Sequence, residues 1–531
     1  MRWLFVSFSL LVARSALAAD LYVDASAAAG GDGTAGMPMQ QIQDALALAQ
    51  PGDTVHVADG TYAPIQSMRD GTADARITVV ADNPLGAIVQ GDGNALRNEH
   101  DYHTYDGLVI DGAYGQVDLV LGESGDHAEY LDLEVRRSGR DCFDLRIVED
   151  VLIEGCNIHH CVSLDMDGVI NDGHGVTGDS VFGLTIRDTT IHMASGDSVQ
   201  LSPPREPWGD LLIEGCTFST APLDDPDAGV PMGTPLGENA LDTKVGAELD
   251  GRGANPRVEV RDTIAFGFTG FITNQGAFNM KEDVDATIDG VTIYDTEVAF
   301  RLRFPANVAV YNAVVWSVDN VIRYEDGLAD ARFINATIGE AIGTDVFEDG
   351  GGGGQTGMVL DNVLVLGDAL PPLLEGTASM VAGADQFVDA AGHDYRLIEG
   401  AAAIDAGTMY AEVASDRVGF ARPYGDAWDV GAFEWAPAGA EDTGGVDTSG
   451  GVDESGSGSG SASGSGSASA SASGSASVGD SSSDSVGEGS EGSAGMGDGS
   501  GGDGCSCNAR GDWHFAIVGL LFATAVRRRR R

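Results

Sequence analysis

Between Asp20 and Pro437 one short apolar phrase keeps returning, and this recurrence restricts the possible fold more than any other feature of the chain. It reads Val151-Leu152-Ile153-Glu154-Gly155-Cys156-Asn157-Ile158, then Leu184-Thr185-Ile186-Arg187-Asp188-Thr189-Thr190-Ile191, then Leu211-Leu212-Ile213-Glu214-Gly215-Cys216-Thr217-Phe218. Later versions centre on Val260, Ile288, Val310, Phe333 and Leu360, and successive centres from Ile153 lie 33, 27, 47, 28, 22, 23 and 27 residues apart. Each phrase is rich in β-formers and bounded by Gly, Asn or Asp, so each predicts a short strand ending in a turn. A repeat of this length signals a solenoid, whose units bury their apolar sides only against neighbouring units. Built of strands without regular helices, it is predicted to be all-β, a parallel β-helix. The 47-residue step marks an insertion before Val260, around Ala221 to Pro235. It is expected to loop out at one edge, where binding sites are commonly built.

The one helical pattern is Gln40 to Ala49, where Ile42, Ala45, Leu46 and Ala49 fall on a single face. Its expected role is to cap the first coil, because an open end of a β stack invites pairing with another chain.

The ends of the chain differ from its body. Met1-Arg2, the apolar run Trp3 to Val12 and Ala16-Leu17-Ala18 read as a secretory signal peptide over residues 1–19. After the repeat domain, residues 20–437, comes a Gly/Ser/Ala/acidic stretch over 438–504 that holds almost no large apolar residue and is expected to be a disordered tether. Residues 505–531 hold Cys505-Ser506-Cys507, an apolar run from Trp513 to Val526 and five arginines, Arg527 to Arg531. This order of parts resembles the MYXO-CTERM sorting tail of myxobacteria. The resemblance implies export, display at the cell surface and a transient membrane association through the tail. An ordinary C-terminal membrane anchor is the alternative reading.

With a net charge of −53 the chain lacks the clustered cations that bind a phosphate backbone, so nucleic acid is excluded as a partner. An anionic substrate would need a local basic patch or a bridging divalent cation. Of six cysteines in an exported chain, Cys156 and Cys216 occupy matching phrases with Thr189 between them. They stand two coils apart, about 9 to 10 Å, which is beyond disulfide reach. Cys142 with Cys161 is a pairing left open.

Only two lysines occur, Lys244 and Lys281, each closing a similar phrase: Asn239-Ala240-Leu241-Asp242-Thr243-Lys244 and Gly276-Ala277-Phe278-Asn279-Met280-Lys281. Aligned with Asp141 to Arg146, Asp172 to Thr177, Asp197 to Ser202 and Val298 to Arg303, these phrases predict two columns. One column is Asp141, Asp172, Asp197, Asn239, and the other is Arg146, Thr177, Ser202, Lys244, Lys281, Arg303. Carboxylates on successive coils repel unless a cation or hydrogen bonds lie between them, and a hard oxygen-seeking cation such as Ca2+ meets that need. Asp141, Asp172 and Asp197 are therefore candidate calcium ligands, and satisfaction of turn backbone groups is the alternative role for stacked Asp and Asn. His174, between two glycines in the acidic column, is a candidate substrate contact. His159 and His160, in an Ile-flanked strand and turn, read as packed or exposed side chains. Asp165-Met166-Asp167-Gly168 begins like a calcium loop but lacks the closing Glu. Lys281 beside Lys244 is expected to lower the latter's pKa and make it a proton-abstracting base. Pairing with Glu238 or Asp242 as a surface cation is the plainer alternative.

The opening motifs Tyr22-Val23, Gly33-Thr34, Pro38, Ile42, Ala45-Leu46, Pro51-Gly52-Asp53-Thr54-Val55 and Gly60-Thr61-Tyr62 resemble the entry of secreted right-handed parallel β-helix proteins, the family 9 polysaccharide (pectate) lyases among them. The closing motifs Ala403-Ile404-Asp405-Ala406-Gly407 and Asp429-Val430-Gly431-Ala432-Phe433-Glu434 are similar to the end of many such proteins. The resemblance implies a calcium-dependent lyase acting as a monomer on an acidic polysaccharide, with Lys244 as base. Lys281 and Arg303 would then hold substrate carboxylates. In the family pattern Asp172, Asp197 and Lys244 match, whereas Gly196 and Gln200 stand where two carboxylates are expected. Glu238, Asp242, Asp224 or Asp225 could compensate for them. Two other functions remain open at this level: a non-catalytic adhesin or glycan-binding protein, and a glycoside hydrolase using two of the column carboxylates.

Overall fold

The computed structural model describes residues 18–437 apart from 92, 203–207, 245–254, 282, 304–306, 326–329, 344 and 352–356. The segments expected to be a signal peptide (up to residue 17), a tether and a sorting tail lie outside the described residues.

The chain winds as a parallel β-helix whose first face is a 13-stranded sheet running from Asp20–Val23 to Met358–Asp361. The phrase centres stack on this face in one register, Ile153 on Ile186, Ile186 on Ile213 and Ile213 on Val260. The column continues through Ile288, Val310 and Phe333 to Leu360. All of these side chains are buried. Period-two alternation sends each centre inward and its neighbours outward. The coil then turns through one left-handed residue, and that position is Gly155, Asp188, Gly215, Asp262, Gly290, Asn312, Asn335 and Asn362 in successive coils, with φ between 47° and 67°. Gly, Asp and Asn follow the phrases because they tolerate that conformation best.

The second face carries Asn157–Cys161, Thr190–Ala194, Thr217–Ser219 and Ile264–Phe266, paired in that order. The third carries Phe143–Glu149, Val176–Phe182, Val199–Leu201, Leu241–Thr243 and Gly276–Lys281. Strand Thr292–Arg303 is long enough to serve both, its first part pairing with Ile264–Phe266 and its last with Gly276–Lys281.

The helix spans Ile42–Leu48, shorter than the sequence pattern, and buries Ile42, Ala45 and Leu46. Cys142 and Cys161 form a disulfide, while Cys156 and Cys216 are free and buried, as their two-coil separation requires. The closing motifs fold back on the asparagine corner: Asn335 donates to the carbonyls of Asp429 and Gly431, and Asn362 to that of Thr408. Arg422 is fully buried there, donating to Glu434 and to the carbonyl of Gly431.

Candidate functional site

The corner leading into the third face holds a polar column inside the stack. Phe143 pairs with Val176, Val176 with Val199 and Val199 with Leu241, so the residues two positions earlier stack as Asp141, His174, Asp197 and Asn239. This corrects the sequence alignment on one coil, where His174 stands in the place expected of Asp172 and Asp179 in the place expected of Thr177. Both errors are slips of two residues.

Most of these groups bond to one another or to the turn backbone. Asp141 Oδ1 accepts from the His174 N–H at 2.8 Å and lies 2.7 Å from His174 Nδ1. His174 Nε2 lies 3.8 Å from Asp197 Oδ2, and Asn239 donates to Asp197 Oδ1 at 2.7 Å while accepting from the Gly276 N–H. Burial works against charge on His174, but the hydrogen bond to Asp141 and the charges of Asp141, Asp197 and Asp172 outweigh it and lift its pKa to about 9. His174 is therefore a buried internal cation rather than a group facing solvent.

Outside the column the two lysines meet over one carboxylate. Lys281 Nζ donates to Asp242 Oδ2 at 2.9 Å, and Lys244 Nζ lies 3.4 Å from the same oxygen and donates to Gln200 Oε1. Burial opposes the charge on Lys244, yet Asp242, Asp197 and Glu238 prevail and raise its pKa. The depressed pKa anticipated from Lys281 is thus reversed, because Asp242 stands between the amines and its field exceeds the lysine repulsion. Arg303 follows Lys281 in register and pairs with Glu325 at 2.9 Å, an acid that also binds Arg301 and Arg323.

Acidic groups press together beside Lys244. Burial and the Asp242 charge raise Asp197 to about 6, and burial with Asp197 and Asp172 raises Glu238 to about 7. Asp197 Oδ2 is buried without a hydrogen-bond partner. It is an oxygen that a hard cation could engage, but among the described residues the three carboxylates whose oxygens converge closely enough to hold an ion are Asp118, Asp141 and Asp144. Gly196 offers no ligand, Gln200 is engaged with Lys244, and Asp242 is engaged with both lysines. Asp224 and Asp225 do not compensate, since they bind His160 and Tyr114. Asp165 accepts from the Asp167 and Val169 N–H groups and closes its own turn.

One residue missed by sequence reading belongs to the same corner. Asp118 precedes inward Val120 by two positions, the offset of Asp141 from Phe143, and Val120 pairs with Phe143. That offset would have found it. Asp118, Asp141 and Asp144 bring oxygens within 4.8 Å of one another. Arg146 lies 3.2 Å and Arg140 3.5 Å from Asp118, so guanidinium groups already supply cations there.

No protein-family profile matches the chain. It is 37% identical over 79 residues to the pectate lyase PEL9 of Emericella nidulans, a match spanning 14% of this chain and 19% of that protein. Similar solved structures include pectate lyase Pel9A, with TM-score 0.45 and 16% identity over 79% of this chain and 97% of that one. An alginate lyase from Paenibacillus sp. str. FPU-7 gives 0.37 and 18% over 61% and 95%, and a rhamnogalacturonan lyase 0.44 and 13% over 65% and 87%.

Proposed function

We propose that this chain is an exported, surface-tethered polysaccharide lyase that cleaves a uronic-acid polymer by β-elimination. The observation that carries the reading is that its only two lysines converge on Asp242 at the edge of an acid-rich corner, with Arg303 next in the same outward column. The sequence shared with the Emericella nidulans pectate lyase supports it.

In this reading Lys281 and Arg303 hold uronate carboxylates, and Lys244 takes the C5 proton onto Nζ. The electrons left at C5 form the C4–C5 double bond as the C4–oxygen bond breaks, and the departing oxygen takes a proton from solvent. Asp172 and Asp197, with Glu238, would hold Ca2+. Bound there, the ion would neutralise the substrate carboxylate and acidify the C5 proton. Asp141, committed to His174, holds the corner together.

The test is to incubate the full chain with polygalacturonate, alginate and glycosaminoglycans, with and without calcium, and follow the ultraviolet absorbance of unsaturated uronate. The expected result is a calcium-dependent signal abolished by Lys244→Ala. Silence on every uronate polymer sinks the reading, and reducing ends without that absorbance point to hydrolysis. Binding without cleavage would favour a non-catalytic glycan binder, a role to which the raised Lys244 pKa and the absent carboxylates at Gly196 and Gln200 are suited.

A further inference from the structure

The second face carries an outward ladder of aromatic rings, around the corner from the lysines. Phe266, Tyr294 and Trp316 stand in one register on three successive coils. Their rings stack at 4.8 and 4.7 Å with planes within 5° of parallel, close to the strand spacing that sets the coil repeat. On the next coil the register falls on Gly339, which follows Ile338 as Trp316 follows Val315. A Cβ there would lie 2.1 Å from the Tyr395 hydroxyl. The missing side chain therefore admits the closing hairpin of Phe387–Asp389 and Asp394–Leu397, and His393 from its turn stacks on Trp316 at 4.7 Å as the fourth ring. Glu340 holds this end in place, with Oε1 2.8 Å from His393 Nδ1 and Oε2 accepting from the Tyr395 hydroxyl at 2.5 Å.

Tyr294, Trp316 and His393 line a groove of about 580 Å³, with Asp295, Ser317 and Glu340 on its walls. That is the size of a small-ligand site. A ladder that only joins coils needs no polar edge, as the buried Phe278 and Phe300 stack shows. Here the edges are polar and free. Among the described residues neither the Tyr294 hydroxyl nor the Trp316 Nε1–H has a hydrogen-bond partner, and neither atom is buried.

Ring surface, free O–H and N–H donors and carboxylate acceptors thus lie side by side. This combination fits a pyranose, whose C–H groups pack on aromatic carbon while its hydroxyls donate to carboxylates and accept from O–H and N–H groups. Charge selects among sugars. Asp295 and Glu340 face the groove, and no lysine or arginine is among its described walls. Arg417 reaches Thr292 Oγ1 at the margin but pairs with Asp262. A uronate would meet repulsion here, whereas an uncharged sugar would not.

We propose that this groove binds a neutral sugar. The site is separate from the lysine column and stands whether or not the chain is a lyase. One strand, Thr292–Arg303, serves both places, with Tyr294 on the second face and Arg303 beside Lys281 on the third. An uncharged glycan is then held on one face while the other is left to an acidic one.

The test is titration of the full chain with oligosaccharides of glucose, galactose and mannose, beside polygalacturonate and choline, read by calorimetry and tryptophan fluorescence. Saturable binding of at least one neutral series is expected. The Tyr294→Phe/Trp316→Phe double variant keeps both rings in the stack and removes only the two free donors, so it should weaken that binding roughly tenfold. Trp316→Ala also removes ring surface and should weaken it further. No saturable binding of any neutral series overturns the proposal. So does binding unchanged in the double variant, or a groove that takes choline or polygalacturonate and no neutral sugar.

Discussion

Under the proposed lyase reading, replacing Asp242 by Asn should raise turnover at moderate pH. Lys244 Nζ stands 3.4 Å from the Asp242 carboxylate, and its side chain is 37% exposed, so solvent screens the pair. At an effective dielectric of about 40 to 80 the attraction is about 1 to 2.5 kcal/mol, and it helps to hold the Lys244 pKa up. Asn keeps the shape and a hydrogen-bond acceptor for Lys281 while removing the charge. A base must be unprotonated to act, so the wild-type kcat should climb tenfold per pH unit on the acid side of the Lys244 pKa. In Asp242→Asn that limb should move to lower pH, and losing about 1 to 2.5 kcal/mol of attraction corresponds to a kcat at pH 8 raised roughly ten- to sixtyfold. The assay is kcat against pH from the unsaturated-product absorbance, at saturating calcium and polymer, with KM measured separately. A limb that stays in place or moves upward, or a fall in kcat confined to KM-independent conditions at pH 8, refutes Lys244 as the base under Asp242 control.

Other consequences concern stability. Glu238 and Asp197 have folded pKa values of about 7 and about 6, above their ordinary values, so their ionisation costs stability as pH rises from the unfolded values and the cost is complete above about 7. His174, raised to about 9, adds stability that is full below about 6.5 and lost as pH climbs through 9. The calcium-minus-chelator shift in Tm should therefore be larger at pH 8 than at pH 5, and equal shifts would remove these acids from the cation site. Replacing both Cys142 and Cys161 by Ala opens a link across 19 residues and should lower unfolding free energy by about 3 kcal/mol, read from the urea midpoint. Glu434→Ala strands the fully buried Arg422 and should cost about 3 to 5 kcal/mol in the same assay, whereas a cost below 1 kcal/mol would mean that the corner relaxes around the guanidinium.

Much of the architecture was legible in the primary sequence. The spacing of Ile153, Ile186, Ile213 and Val260 identified the stacked column because a solenoid repeats its inward residue every coil. The Gly, Asp and Asn that follow identified the bend because few residues accept a left-handed backbone. Lys244, Lys281 and Arg303 were placed in one column for the same reason, their phrases being in step with their neighbours. Asp172 was not, because a shift of two residues leaves every inward side chain inward, and apolar pattern alone cannot detect it. His174 took the position, and with it the charge of the corner changed from an acid to a cation.

What the sequence determined on its own is the coil: strand length, inward column, corner residue and the choice of lysine as the scarce cation. Each is a local or periodic property, carried by residues whose spacing repeats. The tertiary structure alone decided the electrostatics. Asp242 lies between two amines whose mutual repulsion had seemed decisive, and Glu238 and Asp197 add to its field, so Lys244 binds its proton more tightly rather than less. The insertion turns to the second face, where Asp224 meets His160, instead of lending its acids to the lysines. Charge effects depend on distance and burial across coils, and those are quantities a linear spacing does not contain.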